Sequence, residues 1–129
     1  MRKIKVTYYN VDKPNKNNHL YTKDLLNSAI IKFCEQDFWV VRKPADGIAL
    51  TDIIGKVTRS EWNDNNLSFY INLYSNEIDV SKDYFCLFGF GDVFLENINK
   101  EITTVENFNI IGMFIANSCA WEYTAEEVK

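Results

Sequence analysis

Apolar and polar residues alternate in several segments of the chain, which is the pattern of a β-strand with one buried face. Residues 4–11 show it first, and residues 67–73 show it most strictly. A strand on each side of the Asn- and Asp-rich stretch 63–66 predicts a β-hairpin. The long apolar segment 108–123 predicts a closing strand that is central in a sheet and buried on both sides.

One segment has helical periodicity instead. Thr22 suits the N-cap of a helix, and Asp24 lies in its first turn, where a carboxylate is favourable. The apolar face recurs at spacings of three and four and consists of Leu25, Leu26, Ala29, Ile30 and Phe33. The predicted fold is therefore α+β and mainly antiparallel β, with about seven or eight strands in a barrel- or sandwich-like arrangement and one principal amphipathic helix. Residues 1–129 are expected to form a single domain.

Glycine and polar residues predict where the strands are interrupted. Gly89, Gly91 and Gly112 lie inside strand-like segments, where glycine commonly marks a bulge or bend. A turn is predicted at 44–47. The polar residues 124–129 are expected to fray.

Composition and charge exclude several classes of function. The formal charge of −4 disfavours a nucleic-acid binder, and the best basic cluster, 40–43, is expected to be a solvated strand end. No apolar run is long enough to span a membrane, and the first residues do not form a signal peptide. The chain has 15 asparagines and 13 isoleucines, and 11 of its 14 basic residues are lysine. This bias indicates an AT-rich genome, such as that of a low-GC bacterium or its phage.

The chemistry-bearing residues do not form a recognisable catalytic set. His19 is the single histidine and is predicted to fix a loop to the helix start, so no catalytic residue is assigned. Cys34, Cys86 and Cys119 lack the spacing of a metal or redox site, so no cofactor is predicted and a reduced, intracellular context is expected. Cys86 lies in an apolar strand, which should raise its pKa and make it inert. A residual hydrolase that uses Cys86 or Cys119 remains an alternative.

Two aromatic residues stand apart from the predicted strand faces. Trp121 and Tyr123 alternate close to residue 129, where burial by the domain itself is harder. They are candidate interface residues, and the alternative is that they cap one end of the barrel.

The segment from 15 to 73 resembles the prohead (capsid-maturation) proteases of large tailed phages. The resemblance rests on the stretch NHLY (18–21) before the helix, on the inner helix face, and on the later hairpin GKVTRSEW/NLSFYINL. It implies a catalytic His-Pro pair between helix and hairpin and adjacent serines in a later strand. Here Lys43 precedes Pro44, and YFCLFGFGDVF contains no serine pair. The resemblance therefore implies the protease scaffold without its catalytic residues.

These observations lead to a hypothesis of function. The chain is expected to be a non-enzymatic phage structural protein of the auxiliary or decoration type, located in the virion and assembled in the host cytoplasm. Its expected partners are the major capsid protein, other head proteins or copies of itself, without nucleic acid or membrane. The alternative is a small cytoplasmic phage protein that inhibits a host defence system, since an acidic domain complements a basic surface.

Overall fold

The computed structural model describes residues 1–34, 38–41, 53–95 and 102–128. Within these ranges the chain forms eight strands and one helix, α1 (Lys23–Cys34). The strands are β1 (Arg2–Tyr9), β2 (His19–Leu20), β3 (Phe38–Val41), β4 (Ile53–Asn63), β5 (Asn66–Leu73), β6 (Tyr84–Leu95), β7 (Thr103–Ala116) and β8 (Glu122–Glu127). The predicted turn at 44–47 lies outside the described residues, as do Arg42 and Lys43 of the basic cluster.

All eight strands belong to one sheet, in the order β2-β7-β3-β4-β5-β1-β8, with β6 paired to β7. The neighbours are antiparallel except where β2 and β3 pair in parallel with two short stretches of β7. Strand β7 therefore has neighbours on both edges, which confirms its predicted central position. The predicted class, α+β and mainly antiparallel β with one principal helix, is confirmed.

Helix α1 begins where the sequence predicts. The hydroxyl oxygen of Thr22 accepts the backbone N–H of Leu25 at 3.2 Å, so Thr22 is the N-cap. Leu26, Ala29 and Ile30 are buried, and the helix packs against β7. The side chain of Phe33, predicted for the same face, lies outside the described residues.

The predicted hairpin is formed by β4 and β5. Asn63 pairs with Asn66, and between them Asp64 adopts a φ of 54°, which Asp and Asn tolerate better than most residues. The carbonyl of Asp64 accepts a hydrogen bond from Lys23 Nζ at 2.7 Å. The hairpin turn is thereby tied to the first residue of α1.

Bulges interrupt the pairing of β6 with β7. The register shifts between Phe88 and Gly89 and again between Phe90 and Val93. Gly112 lies opposite Phe88, beside the first shift. The predicted interruptions at these glycines are therefore confirmed, because a residue without Cβ lets the bulged strand bend.

The last third of the chain differs from the prediction in two respects. Residues 108–123 are not one strand, because β7 ends at Ala116 and β8 starts at Glu122. The polar tail does not fray through residue 127, because β8 pairs with β1 from Tyr9↔Glu122 to Ile4↔Glu127. The cause is that β1 needs a partner on its second edge, and the alternation of inward Tyr123 and Ala125 with outward polar residues supplies one.

Two tyrosine hydroxyls bring the ends of the sheet together. Tyr8 on β1 is fully buried and donates its hydroxyl hydrogen to the carbonyl of Phe85 on β6. The backbone N–H of Phe85 donates to the hydroxyl of Tyr123 on β8 at 3.1 Å. These two contacts satisfy the backbone C=O and N–H of Phe85, which a neighbouring strand would satisfy in a continuous sheet. The described residues show no ladder between β6 and β8, so these two end strands of the sheet meet through the two tyrosine side chains.

The hydroxyl of Tyr8 should contribute measurably to stability. We expect Tyr8→Phe to lower the free energy of unfolding by about 1–3 kcal/mol, because it leaves the Phe85 carbonyl buried without this donor. Tyr9→Phe is the matched control, since the Tyr9 hydroxyl meets Thr124 on the exposed face. Urea unfolding of both variants provides the comparison, and equal stability would contradict a closing role for Tyr8.

Burial of these two tyrosines makes the stability of the fold depend on pH in the alkaline range. Burial raises the pKa of Tyr8 and of Tyr123 above the ordinary value of 10.0. The unfolded chain therefore loses protons above pH 10 that the folded chain keeps. Stability should fall with rising pH there, by about 1.4 kcal/mol per pH unit for each tyrosine. Tyr8→Phe should make this slope shallower in urea unfolding measured between pH 9 and pH 11, and an unchanged slope would contradict the burial of the Tyr8 hydroxyl.

Helix α1 should depend on Leu26, which is 0% exposed. We expect Leu26→Asp to abolish folding, because it places a carboxylate in the apolar core without a partner. Ser28→Asp adds the same charge to an exposed position of the helix and should leave the fold intact. Circular dichroism and gel filtration distinguish the two outcomes, and a folded Leu26→Asp protein would contradict the assigned core.

Candidate functional site

The outer face of β4, β5 and β1 carries a cluster of cationic, aromatic and polar side chains. Alternation in β5 directs Phe69 and Ile71 into the core and leaves Tyr70 on the outer face. Tyr70 lies opposite Lys5 of β1 and opposite Arg59 of β4. Cross-strand pairing therefore brings two cations to the same ring.

A β-bulge places Arg59 on this face. Val57 lies opposite Ile71 and is buried, whereas Arg59 lies opposite Tyr70, so Thr58 is the extra residue. Without the bulge, the two-residue period would direct Arg59 to the same side as Val57. The Thr58 hydroxyl donates to the carbonyl of Tyr70 at 3.1 Å, which holds the bulge.

Tyr70 and Arg59 form an ordered pair. The guanidinium carbon of Arg59 lies 3.6 Å from the centre of the Tyr70 ring, and Lys5 Nζ lies 5.7 Å from it. The Tyr70 hydroxyl donates to Glu61 Oε2 at 2.8 Å. Arg59 and Glu61 also approach to 3.9 Å, but both are about half exposed, so this ion pair adds little. Stacking and the hydroxyl contact hold the cluster.

A groove of about 450 Å³ adjoins this pair, and we call it the outer-face groove. Lys3 and Arg59 are its charged side chains, and Thr58 and Asn72 add polar groups. Its apolar side chains are the exposed Met1 and the partly buried Val128, whereas Ile4 and Ile71 border the groove but direct their side chains into the core. The groove thus presents positive charge next to apolar surface in a chain whose net charge is −4. Such a surface complements a partner segment that combines carboxylates with apolar side chains.

The candidate interface residues lie elsewhere. Trp121 is only 9% exposed, and its ring packs edge-on against Tyr8 at 5.6 Å and Tyr21 at 5.2 Å. Tyr123 is half-buried, 5.0 Å from the ring of Tyr84. Both rings therefore contact their own chain where the sheet closes, and a role at an interface with a partner stays a prediction.

His19 lies in β2, which pairs with β7, and its backbone N–H donates to Asn15 Oδ1 at 3.1 Å. This fixes the loop ahead of α1. Within the described ranges, no three His, Cys, Asp or Glu side chains cluster as metal ligands. In the same part of the chain, no helix has the length and apolar character needed to cross a bilayer.

Sequence reasoning missed two arrangements. The alternation of residues 67–73 predicts Tyr70 on the polar face of its strand, but the sequence has no signal for the bulge that brings Arg59 to it. Sequence reasoning treated Cys86 and Cys119 as separate, whereas both line the same cavity. Interaction with the Cys119 thiol and, second, burial raise the pKa of Cys86, so the predicted direction is confirmed but its largest cause was missed.

No family model matches the sequence, and no curated protein and no solved structure matches the chain. The resemblance to prohead proteases therefore rests on the sequence pattern alone.

The contact between Arg59 and Tyr70 should be measurable as a coupling energy. We expect a double-mutant cycle with Arg59→Ala and Tyr70→Leu to give about 0.5–1 kcal/mol, the usual size of an exposed cation–π contact. The control cycle pairs Arg59→Ala with Tyr9→Leu, because Tyr9 lies on β1 away from Arg59. A coupling energy near zero in the first cycle would show that the stack is not formed in solution.

Proposed function

We propose that this protein is a non-enzymatic structural protein of a bacteriophage head that binds a capsid or other head protein through the outer-face groove. The observation that carries the binding role is the ordered Arg59–Tyr70 pair beside that groove. The head-associated role extends the sequence hypothesis. It is supported by the residue bias that indicates an AT-rich genome and by the resemblance of residues 15–73 to prohead proteases.

The pair has the properties of a binding hot spot. Tyrosine and arginine are enriched among the residues that dominate protein interfaces. The Arg59 guanidinium is stacked and the Tyr70 hydroxyl is bonded to Glu61 before any partner arrives. Ordering these long side chains in advance lowers the entropy lost on association. A rigid sheet face that offers such residues suits a lasting contact in an assembled particle.

The charge of the groove specifies its partner. Lys3 and Arg59 favour an acidic segment, and the adjoining Met1 and Val128 favour apolar side chains within it. The partner segment is therefore expected to be acidic with interspersed apolar residues. Binding through this face should weaken as ionic strength rises, because Arg59 is about 60% exposed and its charge is screened by salt.

The proposal predicts that the protein is part of purified virions and that Arg59→Glu reduces its incorporation and its recovery of head proteins at least tenfold. A tenfold loss of affinity corresponds to about 1.4 kcal/mol of binding free energy, which is a small loss for reversing the charge of a hot-spot residue. Lys13→Glu makes the same charge change in the exposed loop at the opposite end of β1 and should bind normally. His19→Ala should also bind normally. Quantitative mass spectrometry of virions and of tagged-protein pull-downs provides the measurement.

Each result bears on a different part of the proposal. Absence of the protein from virions contradicts the structural role, and recovery of a host protein instead favours inhibition of a host defence system. Equal loss with Arg59→Glu and Lys13→Glu removes the groove as the contact surface while leaving the virion role. Loss of function in a folded His19→Ala protein would favour a catalytic role that this proposal excludes.

A further inference from the structure

The fold brings Cys86 and Cys119 into contact. Cys86 lies on β6, and Cys119 lies in the turn between β7 and β8. Both are free, both line the same cavity and the same groove, and each perturbs the pKa of the other. The Cys86 thiol donates to the carbonyl of Ser118, the residue just before Cys119, at 3.3 Å. When Cys119 loses its proton, the Cys86 thiol can turn from Ser118 to the thiolate.

Several groups favour the thiolate at Cys119. The Cys86 thiol donates to its sulfur, and the backbone N–H groups of Trp121 and Ala120 also point to it. Lys16 adds positive charge nearby, and its backbone N–H donates to the carbonyl of Ala120 at 2.9 Å, which fixes its loop beside the turn. Together they lower the pKa of Cys119 to about 7, although burial opposes them.

The pair is reachable by a small reagent. A cavity of about 160 Å³ is lined by both cysteines together with Tyr21, Phe108 and Trp121. A groove of about 410 Å³ touches both cysteines from the other direction, and exposed Lys16, Asn17 and Ser118 lie along it. A thiolate that is largely buried but reached from an open groove suits a small oxidant and excludes a large one.

Trp121 provides an independent sign of a bound acceptor. It lines the cavity, it is 9% exposed, and its buried Nε1–H has no hydrogen-bond partner in the described part of the chain. A buried donor left without a partner is costly, and a polar atom in the cavity would satisfy it. The cavity is small and also holds the two cysteines, so a small molecule with an oxygen acceptor fits it.

We propose that Cys119 and Cys86 form a site for oxidation by hydrogen peroxide or a small hydroperoxide, with Cys119 as the nucleophile and Cys86 as the resolving thiol. The Cys119 thiolate attacks one peroxide oxygen, so an S–O bond forms, the O–O bond breaks, and the departing oxygen takes a proton to leave as water or an alcohol. The sulfenic acid of Cys119 then reacts with the Cys86 thiol. An S–S bond forms, the S–O bond breaks, and water leaves.

The two steps need no oxidant or reductant other than the peroxide and the two cysteines. The two cysteines together lose two electrons and two protons, and the peroxide accepts them to give one water and one further water or alcohol. Trp121 Nε1–H can donate to the oxygen of the peroxide or of the sulfenic acid. The resulting disulfide joins β6 to the β7–β8 turn, so oxidation should lock the region in which the two ends of the sheet meet.

The test begins with the unmodified chain treated with hydrogen peroxide under native conditions. Peptide mapping by mass spectrometry should find a disulfide between Cys86 and Cys119 that is removed by a reductant. Disulfides that involve Cys34, or added oxygen on both cysteines without a crosslink, would overturn the proposal. This measurement does not depend on whether any variant folds.

Variants in a Cys34→Ser background then assign the two roles. Cys86→Ser should accumulate a sulfenic acid at Cys119 that dimedone traps, whereas Cys119→Ser should form neither this adduct nor a disulfide. Labelling of Cys86 by dimedone in the Cys119→Ser protein would contradict the assignment. Circular dichroism confirms that each variant is folded.

The pH dependence of the first step provides a further check. Because the thiolate is the nucleophile, the oxidation rate should rise about tenfold between pH 6 and pH 8 and level off for a cysteine with a pKa of about 7. For an ordinary cysteine with a pKa of about 8.5, the oxidation rate would rise about 75-fold over the same range without levelling off. The steeper pH profile without a plateau would show that Cys119 is not an activated nucleophile.

Discussion

The backbone of Phe85 on β6 meets the hydroxyls of Tyr8 on β1 and Tyr123 on β8, and these two hydrogen bonds join the two ends of the sheet. An open sheet leaves the N–H and C=O groups of its edge strands without partners, which is costly when they are buried. Here side chains from β1 and β8 satisfy the edge of β6. The closure therefore needs no continuous ladder, and it places a fully buried tyrosine at the centre of the aromatic core.

The closure also organises what lies around it. Trp121 packs against Tyr8, and the turn that carries Trp121 also presents Cys119 to Cys86 on β6. The outer-face groove lies on the opposite surface of β1, because alternation sends Tyr8 inward and Lys3 and Lys5 outward. One strand thus contributes to the closure with one face and to the proposed binding surface with the other. A change in β1 should affect both.

Strand and helix periodicity predicted the class of the fold, the hairpin of β4 and β5, the cap at Thr22 and the bulges beside the β6 glycines. Each of these depends on interactions between residues close in sequence. The prediction was wrong for the chain end, because Tyr123 and Ala125 form a strand only when β1 is beside them. The candidate site was harder still, since Arg59 reaches Tyr70 only through a bulge whose extra residue, Thr58, has no distinctive signal.

The sequence by itself determined which faces are apolar and where the helix starts, because these follow from side-chain periodicity and local capping. It also predicted that burial of Cys86 in an apolar strand raises the pKa of that thiol, although the larger cause, Cys119, is a tertiary neighbour. Only the tertiary structure decided that Trp121 is buried, that Tyr8 closes the sheet on Phe85, and that Cys119 lies against Cys86. These contacts join residues far apart in the chain, and their geometry is set by strand order and register rather than by local pattern.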